Sequence, residues 1–314
     1  MRRLLLLTST LLFVVTTGCS IRKMAITTLA DALAASGDVY ASDDDPELVR
    51  DALPFALKTF DTLLAEAPDH QGLRLAACQG YTQYAYAFVE LEAARLEPVD
   101  YRGANQRRDR ALKLYLRARE HCVHALNRVV PGTSTRLALA PEEALGGFRV
   151  DDVPLLYWTG ASWGSAISAG LDRPELVADR PAVRALLERA LELDPDWGEG
   201  ALHEAMIALD GLPATMGGSL ERAREHYERA LELSGGDRPG PYVMWANVVS
   251  VKQQDREEFE RLLQKALAVD PDRRRSERLR TLITQERARL LLKQADELFL
   301  DDLEDLNDPD EENR

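Results

Sequence analysis

The five residues that begin at Gly160 are the clearest candidate for catalytic chemistry. They read GASWG and satisfy the pattern G-x-S-x-G, in which serine hydrolases place their nucleophile. This pattern works only on a sharp turn between a strand and a helix, with an acid and then a histidine further along the chain. Around Ser162 the apolar residues have helical spacing, and only His203 and His226 follow it. We therefore predict that the protein is not an enzyme.

Histidine and cysteine spacing does not predict a metal site either. His203 and Glu204 begin like the zinc motif H-E-x-x-H, but the second histidine is missing. His121 and His124 share a helix face next to Cys122, and these are zinc-ligand types, yet solvated histidines on a helix are much commoner. The chain has no P-loop, no GxGxxG and no CxxC motif. We predict neither a metal nor a cofactor.

The amino terminus resembles a bacterial lipoprotein signal. Two arginines precede an apolar run from Leu4 to Val15, and Gly18 stands directly before Cys19. Charged, apolar and small residues in this order make an export signal, and the cysteine at its end is the residue that would be lipidated. We predict a signal peptide over residues 1–18 and a lipid anchor on Cys19, on the periplasmic side of the envelope. Ser20 favours the outer membrane, and an ordinary secretory signal is the alternative.

An exported protein meets an oxidising compartment, so Cys78 and Cys122 become candidates for a disulfide. They are equidistant from residue 100, where the stretch from Pro98 to Gly103 predicts a turn between two long helices. An antiparallel hairpin would bring both cysteines to the same height. Alternatively, Cys78 fills a small-residue position where two helices touch. The sequence does not orient the helix faces, so both interpretations stay open.

The elements that must position these residues are helices. From Pro181 to Pro271 one helical pattern occurs three times, and each copy ends in proline or glycine. Its apolar positions are Val183, Leu187 and Ala190, then Ala223, Tyr227 and Ala230, then Phe259, Leu263 and Ala266. Offsets of four and three residues place each set on one helix face. The third positions lie 40 and 36 residues apart, close to the roughly 34-residue period of tetratricopeptide repeats.

We therefore predict an all-α fold, a tetratricopeptide-like helical-repeat solenoid with irregular, lengthened middle helices. The middle helices are expected over Gly72–Glu97 and Asn105–Val130, and an earlier helix over Pro46–Ala67. Residues 19–45 would hold the lipidated terminus and a first helix, and residues 46–300 the repeat domain. The last segment, 301–314, is acidic and predicted to be disordered.

Composition narrows the class of partner. The chain of 314 residues carries a net charge of −14, with 53 acidic against 39 basic residues. A surface of this sign repels the phosphate backbone, so a nucleic-acid partner is not expected. The low aromatic content of 6% makes any local cluster of aromatic residues notable.

Two segments are predicted to bind a ligand or a partner. Tyr157, Trp158 and Trp163 lie at helical spacing among small residues, and core packing is the alternative explanation for them. The second segment is the loop Met216, Gly217, Gly218 and Ser219, which belongs to an insertion between two repeats. Repeat insertions often collect on the binding face. Its serine is also an ordinary helix N-cap, and that alternative stays open.

Several stretches together resemble the T-component family of tripartite ATP-independent periplasmic (TRAP) transporters. The resemblance is carried by Tyr40–Asp51, Gly80–Glu90, Val153–Gly164, Leu186–Leu209, Met216–Ser219 and Gly240–Trp245. It implies a periplasm-facing lipoprotein of tetratricopeptide-like helix pairs, a homotrimer with a central opening. It also implies association with the transporter's solute-binding protein and handling of a small ligand, for which a hydrophobic molecule is one candidate. The alternative is a tetratricopeptide scaffold lipoprotein in outer-membrane assembly.

Overall fold

The structure is a computed structural model that describes residues 24–35 and 37–300. Within these residues the chain forms helices and no strand, which confirms the all-α prediction. The predicted signal peptide, the lipidation site at Cys19 and the acidic tail lie outside the described residues. The helices fall into two compact units, one extending to Pro195 and the other beginning at Asp196.

Long helices build the first unit: α1 Pro46–Glu66, α2 Gln71–Tyr84, α3 Tyr101–Val129, α4 Val153–Ala169 and α5 Arg180–Leu193. A π-helical turn, Ala85–Glu90, and the short helix Leu91–Leu96 continue α2. Residues 24–34 are also helical. Shorter helical segments are Gly37–Ala41, Thr133–Leu137, Pro141–Ala144, Val150–Asp152 and Pro174–Val177. The lengthened middle helices are thus present close to their predicted bounds.

The start of α1 shows why these segments are helical. The Asp45 carboxylate accepts hydrogen bonds from the backbone N–H groups of Glu47 and Leu48, and Pro46 occupies the first turn, where its missing N–H costs nothing. The buried residues of α1 recur every three or four positions: Val49, Leu53, Leu57, Phe60 and Leu64. That spacing gives one apolar face, which α1 packs against α2.

In the first unit, α3 is the central helix and packs against both α2 and α4. Helix α4 in turn packs against α5. Close approach of these last two requires Gly160, because a Cβ there would lie 2.9 Å from Cγ and Cδ2 of the buried Leu187. The glycine and alanine residues of α4 therefore serve helix packing on at least one face.

The second unit contains α6 Ala201–Asp210, α7 Leu220–Ser234, α8 Pro239–Trp245, α9 Arg256–Leu267 and α10 Arg278–Lys293. A π-helical turn, Ala246–Ser250, and the short helix Val251–Gln253 continue α8. Short helical segments are Trp197–Gly200, Ala214–Met216, Arg275–Glu277 and Ala295–Leu298. Its core gathers residues of α6 to α10 around Trp245 and Phe259.

The repeated apolar positions lie in the interior, as a helical face predicts. Val183, Leu187 and Ala190 are buried in α5, and Phe259, Leu263 and Ala266 are buried in α9. In α7 the two alanines of the pattern are buried and Tyr227 packs against the core at its edge. This burial explains the repeat in the sequence. The tetratricopeptide-like solenoid itself stays a prediction.

Candidate ligand-binding cleft

A cleft of about 950 Å³ lies in the first unit and is a candidate for a ligand site. Helix α3, the segment 134–141, helix α4 and the start of α5 supply its walls. Its lining residues are Lys113, Leu116, Arg117, Arg119, Glu120, Val123, Ser134, Leu137, Ala138, Leu139, Pro141, Trp163, Ala178, Asp179, Pro181 and Ala182. The volume lies in the range of small-molecule sites, and the mostly apolar lining with a few charged groups is typical of them.

Trp163 forms the fixed wall of this cleft. Its indole Nε1–H donates to Oδ2 of Asp179 at 3.0 Å, and the guanidinium of Arg119 lies 4.9 Å from the ring centroid. Arg119 and Asp179 also form an ion pair at 3.6 Å, so the three side chains hold one another. Burial lowers the pKa of the Arg119 guanidinium, which nevertheless stays charged. The indole is therefore held in one orientation at the edge of the open space.

Tyr157 and Trp158, the other predicted aromatic residues, do not line this cleft. Their rings pack edge to face with centroids 5.1 Å apart, and both side chains are half-buried in α4. The carbonyl oxygen of Trp158 lies 3.7 Å from Sγ of Cys78, so this part of α4 faces α2. The structure thus places one of the three aromatic residues at the cleft.

A disulfide joins Cys78 on α2 to Cys122 on α3, with their Cα atoms 5.6 Å apart. This separation is within the ordinary range for a cross-link. Both side chains are completely buried. Because α3 also supplies one wall of the cleft, the cross-link fixes that wall to α2.

Ser162, the serine of the G-x-S-x-G motif, is buried in the middle of α4. Its hydroxyl donates to the carbonyl oxygen of Thr159 at 3.1 Å, the usual local bond of a helical serine. The motif therefore lacks the turn that exposes the nucleophile of a serine hydrolase.

A model of the TRAP transporter T-component family matches residues 42–299. The chain belongs to the TRAP transporter T-component family. It is also similar to an uncharacterized protein of Treponema pallidum (strain Nichols), with 30% identity over 307 residues. That alignment covers 90% of this chain and 94% of the relative. The family is a component of transport systems and is not a family of enzymes.

In this family member, the helices over the described residues include none that is both long and apolar enough to cross a membrane.

The loop from Met216 to Ser219 lies in the second unit. Ser219 caps α7 by accepting a hydrogen bond from the N–H of Arg222 at 3.3 Å, and its own N–H donates to the carbonyl oxygen of Asp210 at 2.8 Å. Gly217 has a φ of 85°, and a side chain on Gly218 would overlap the carbonyl group of Leu212. The two glycines are therefore explained by the turn. Met216 is half-exposed.

Asp210 ties that loop to the interior of the second unit. Its carboxylate is buried and accepts a hydrogen bond from Arg222 at 2.8 Å, and Arg222 also donates to the carbonyl oxygen of Gly217 at 2.7 Å. The second oxygen of Asp210 lies 3.5 Å from Nε2 of His226, whose Nδ1 is 2.8 Å from Nδ1 of His203. The histidines considered for catalysis thus take part in a polar network.

The two histidines of α3, His121 and His124, also contact charged side chains. Arg74 donates to Nδ1 of His121 at 3.1 Å, while Nε2 of His121 is 3.4 Å from Oδ1 of Asp61. Burial, together with the charge of Arg74, lowers the pKa of His121 below its ordinary value. His124 lies 3.3 Å from Asp69. These contacts pair each histidine of α3 with charged side chains.

Sequence reasoning missed Arg119 and Asp179, which hold Trp163. Asp179 directly precedes α5, a position that is typical of an N-cap. Its side chain makes no capping bond to α5 and instead accepts from the indole. Arg119 lies 44 residues before Trp163 in the chain, and only the packing of α3 on α4 brings the two together.

Proposed function

We propose that this chain is a non-enzymatic accessory of a TRAP transporter that associates with the transporter's periplasmic solute-binding protein. Membership of the T-component family supports this proposal, since the family is a component of TRAP transport. Tetratricopeptide-like helix pairs stacked side by side would offer a concave surface for such a partner without any chemistry. The buried repeat positions of α5, α7 and α9 are consistent with that stacking.

The anchoring and assembly belong to the same proposal. Lipid on Cys19 would hold the chain on the periplasmic side of the envelope, at the outer membrane. A chain with a net charge of −14 is repelled by anionic lipid, so the acyl chains must supply the attachment. The assembled form is a homotrimer with a central opening. Size measurement of the detergent-solubilised lipoprotein tests the trimer, and fractionation of the envelope tests the anchoring at the outer membrane.

The cleft is the part of this function that the geometry supports best. Its volume of about 950 Å³ accepts a small molecule, and Leu116, Leu139 and the exposed edge of Trp163 give it apolar surface. Lys113 and Arg117 add positive charge on the α3 side. We propose that it receives a small, partly hydrophobic ligand that the chain binds or passes on. The single observation that carries this step is the indole of Trp163, held by Asp179 and Arg119 beside an open space.

We propose that the predicted residues outside the cleft contact the solute-binding protein. Tyr157 and Trp158 lie on α4, and Met216 with the following Gly217 to Ser219 forms the half-exposed loop of the second unit. Replacement of Trp158 by alanine, with the fold intact, is expected to weaken capture of the solute-binding protein. Unchanged capture removes these residues from the proposed surface.

The test uses the mature domain with Cys19 replaced by serine, incubated with the envelope fraction of its own organism. Captured proteins and co-purifying small molecules are identified by mass spectrometry. Binding of the neutral fluorescent probe Nile red is measured in parallel. We compare the unmodified domain with Leu139→Glu, which puts a carboxylate at the rim of the cleft. Leu139 is 82% exposed, so the fold tolerates this change.

Leu171→Glu is the matched control, because Leu171 is also an exposed leucine of the first unit but does not line the cleft. We expect capture of a solute-binding protein by all forms and loss of the small molecule and of Nile red only in Leu139→Glu. Capture of outer-membrane assembly proteins alone would refute the transporter role. Equal probe binding by both variants would refute the cleft as the ligand site.

A further inference from the structure

A second cavity of about 240 Å³ lies in the first unit, where α1, the end of α2 and the first half of α3 meet. Its lining residues are Arg50, Tyr84, Phe88, Val89, Glu92, Arg107 and Arg110. We name it the arginine cavity. It shares no lining residue with the larger cleft, so it is a separate site.

The arginine cavity carries an excess of positive charge. Arg50 forms an ion pair with Asp51 at 2.9 Å, and Glu92 supplies a second carboxylate. Within the described part of the chain, neither Arg107 nor Arg110 lies within ion-pair distance of a carboxylate. Three guanidinium groups and one carboxylate therefore line the cavity, and Asp51 and Glu47 lie near Arg50 outside the lining. This local excess occurs in a chain whose net charge is −14, so it is not a property of the surface at large.

One wall of the arginine cavity is aromatic. Tyr84 is only 7% exposed, and the guanidinium of Arg110 lies 6.0 Å from its ring centroid. The Phe88 ring packs against Tyr84 with centroids 5.6 Å apart. Val89 beside it is buried. Arg107 is half-buried and Arg50 and Arg110 are exposed, and all three guanidinium groups lie beside this apolar wall.

A change of helix type places these walls. The π-helical turn Ala85–Glu90 begins directly after Tyr84 and carries Phe88 and Val89. A π-helical turn widens the helix locally and shifts the following side chains around the axis relative to an α-helical register. Such turns are less stable than an α-helix and are frequent at functional sites. Here the turn accounts for the position of Phe88 and Glu92 opposite α3.

We infer that the arginine cavity binds a small organic oxyanion, a carboxylate or a phosphate ester, between Arg107 and Arg110. The planar guanidinium group presents paired N–H donors that match two oxygens of such an anion. The body of the ligand lies against the rings of Tyr84 and Phe88. The volume admits a molecule about the size of one aromatic ring. The positive charges of Arg107 and Arg110 favour an anion over a neutral molecule of the same shape.

Isothermal titration calorimetry at constant ionic strength tests this inference with three probes of similar shape. Benzoate carries a carboxylate, phenyl phosphate carries a phosphate, and benzamide is neutral. We expect benzoate, phenyl phosphate or both to bind, and benzamide to bind at least about tenfold more weakly, since a hydrogen bond to a charged group contributes that much. The comparison of the two anions identifies which head group the site prefers.

Arg107→Gln combined with Arg110→Gln is expected to weaken anion binding at least about tenfold, because both paired donors are lost. The matched control is Lys113→Gln combined with Arg117→Gln, which removes the same charge from the same helix but lines the larger cleft. Phe88→Leu should weaken binding of the aromatic anions while the arginines remain.

The inference is overturned if no anion binds the unmodified protein, or if benzamide binds as well as benzoate. It is also overturned if the control pair, and not Arg107 and Arg110, abolishes binding, since the anion would then lie in the cleft. Circular dichroism of each variant excludes unfolding as the cause. Loss of ligand from the larger cleft in Leu139→Glu leaves this result unaffected.

Discussion

Replacement of both Cys78 and Cys122 by alanine is expected to lower the free energy of unfolding of the first unit by about 4 kcal/mol. The two cysteines are 44 residues apart in the chain. A cross-link that closes a loop of this size restricts the unfolded chain, and loop-closure entropy gives this magnitude. In the structure both sulfur atoms are completely buried, so a reductant reaches the bond only when the unit opens.

Guanidinium unfolding in a Cys19→Ser background measures the effect, with and without a thiol reductant. The cross-linked protein should unfold at higher denaturant than the double alanine variant. Reductant present during unfolding should bring the cross-linked protein close to the variant, and it should leave the variant itself unchanged. A count of free thiols in the denatured, non-reduced protein provides an independent measurement and should return none.

Two free thiols per chain in protein purified from the periplasm would show that Cys78 and Cys122 are not cross-linked. Equal unfolding free energies of the cross-linked protein and the double alanine variant would show that the cross-link does not stabilise the first unit. In that case the loop between α2 and α3 would already be restricted in the unfolded chain, and the cross-link would add nothing.

Further predictions concern packing, protonation and capping. Gly160→Ala should destabilise the first unit by about 1 kcal/mol, because a Cβ there would lie 2.9 Å from the side chain of Leu187. Gly164→Ala meets only ordinary contacts and should stabilise the unit by about 1 kcal/mol through higher helix propensity. Thermal denaturation of the two variants that gave shifts of the same sign would contradict this. Burial holds the pKa of His121 below its ordinary value of 6.5, so the unfolded chain takes up a proton that the folded chain does not. The free energy of unfolding should therefore fall as the pH drops below 6.5. Urea titrations at pH 7.5 and 5.5 should show a smaller fall for His121→Gln than for the unmodified protein. An equal fall in the two proteins would argue against a role of His121. Ser219→Ala should cost about 1 kcal/mol through loss of the α7 cap, and Ser219→Thr, which keeps the hydroxyl, serves as the control in chemical denaturation.

Helix positions were predictable because local chemistry sets them. The Asp45 cap and Pro46 predict the start of α1, and the apolar period predicts its length to within one residue. The long helices on either side of residue 100 follow from the same kind of signal. Asp100 begins α3 by accepting a hydrogen bond from the N–H of Gly103 at 2.9 Å. These signals act between residues a few positions apart.

The π-helical turn after Tyr84 was not predictable in the same way. The stretch Gly80–Glu90 carries an ordinary helical pattern, and a single residue shifted around the axis changes no composition or period. Its consequence is nevertheless large, because the turn helps to place Phe88 and Glu92 at the arginine cavity. The turn packs against α3, and local spacing along the chain does not encode that contact.

The sequence by itself determined the helical class, the main helix bounds, the buried face of each repeat and the resemblance to the T-component family. These features rest on hydrogen bonds and side-chain periods within one helix. Only the tertiary structure decided that Trp163 lies at a cleft while Tyr157 and Trp158 do not. Arg119 and Asp179 reach the indole from two other segments, and their meeting depends on the angle and register at which α3 packs on α4. Those quantities belong to pairs of helices, and no single stretch of the chain specifies them.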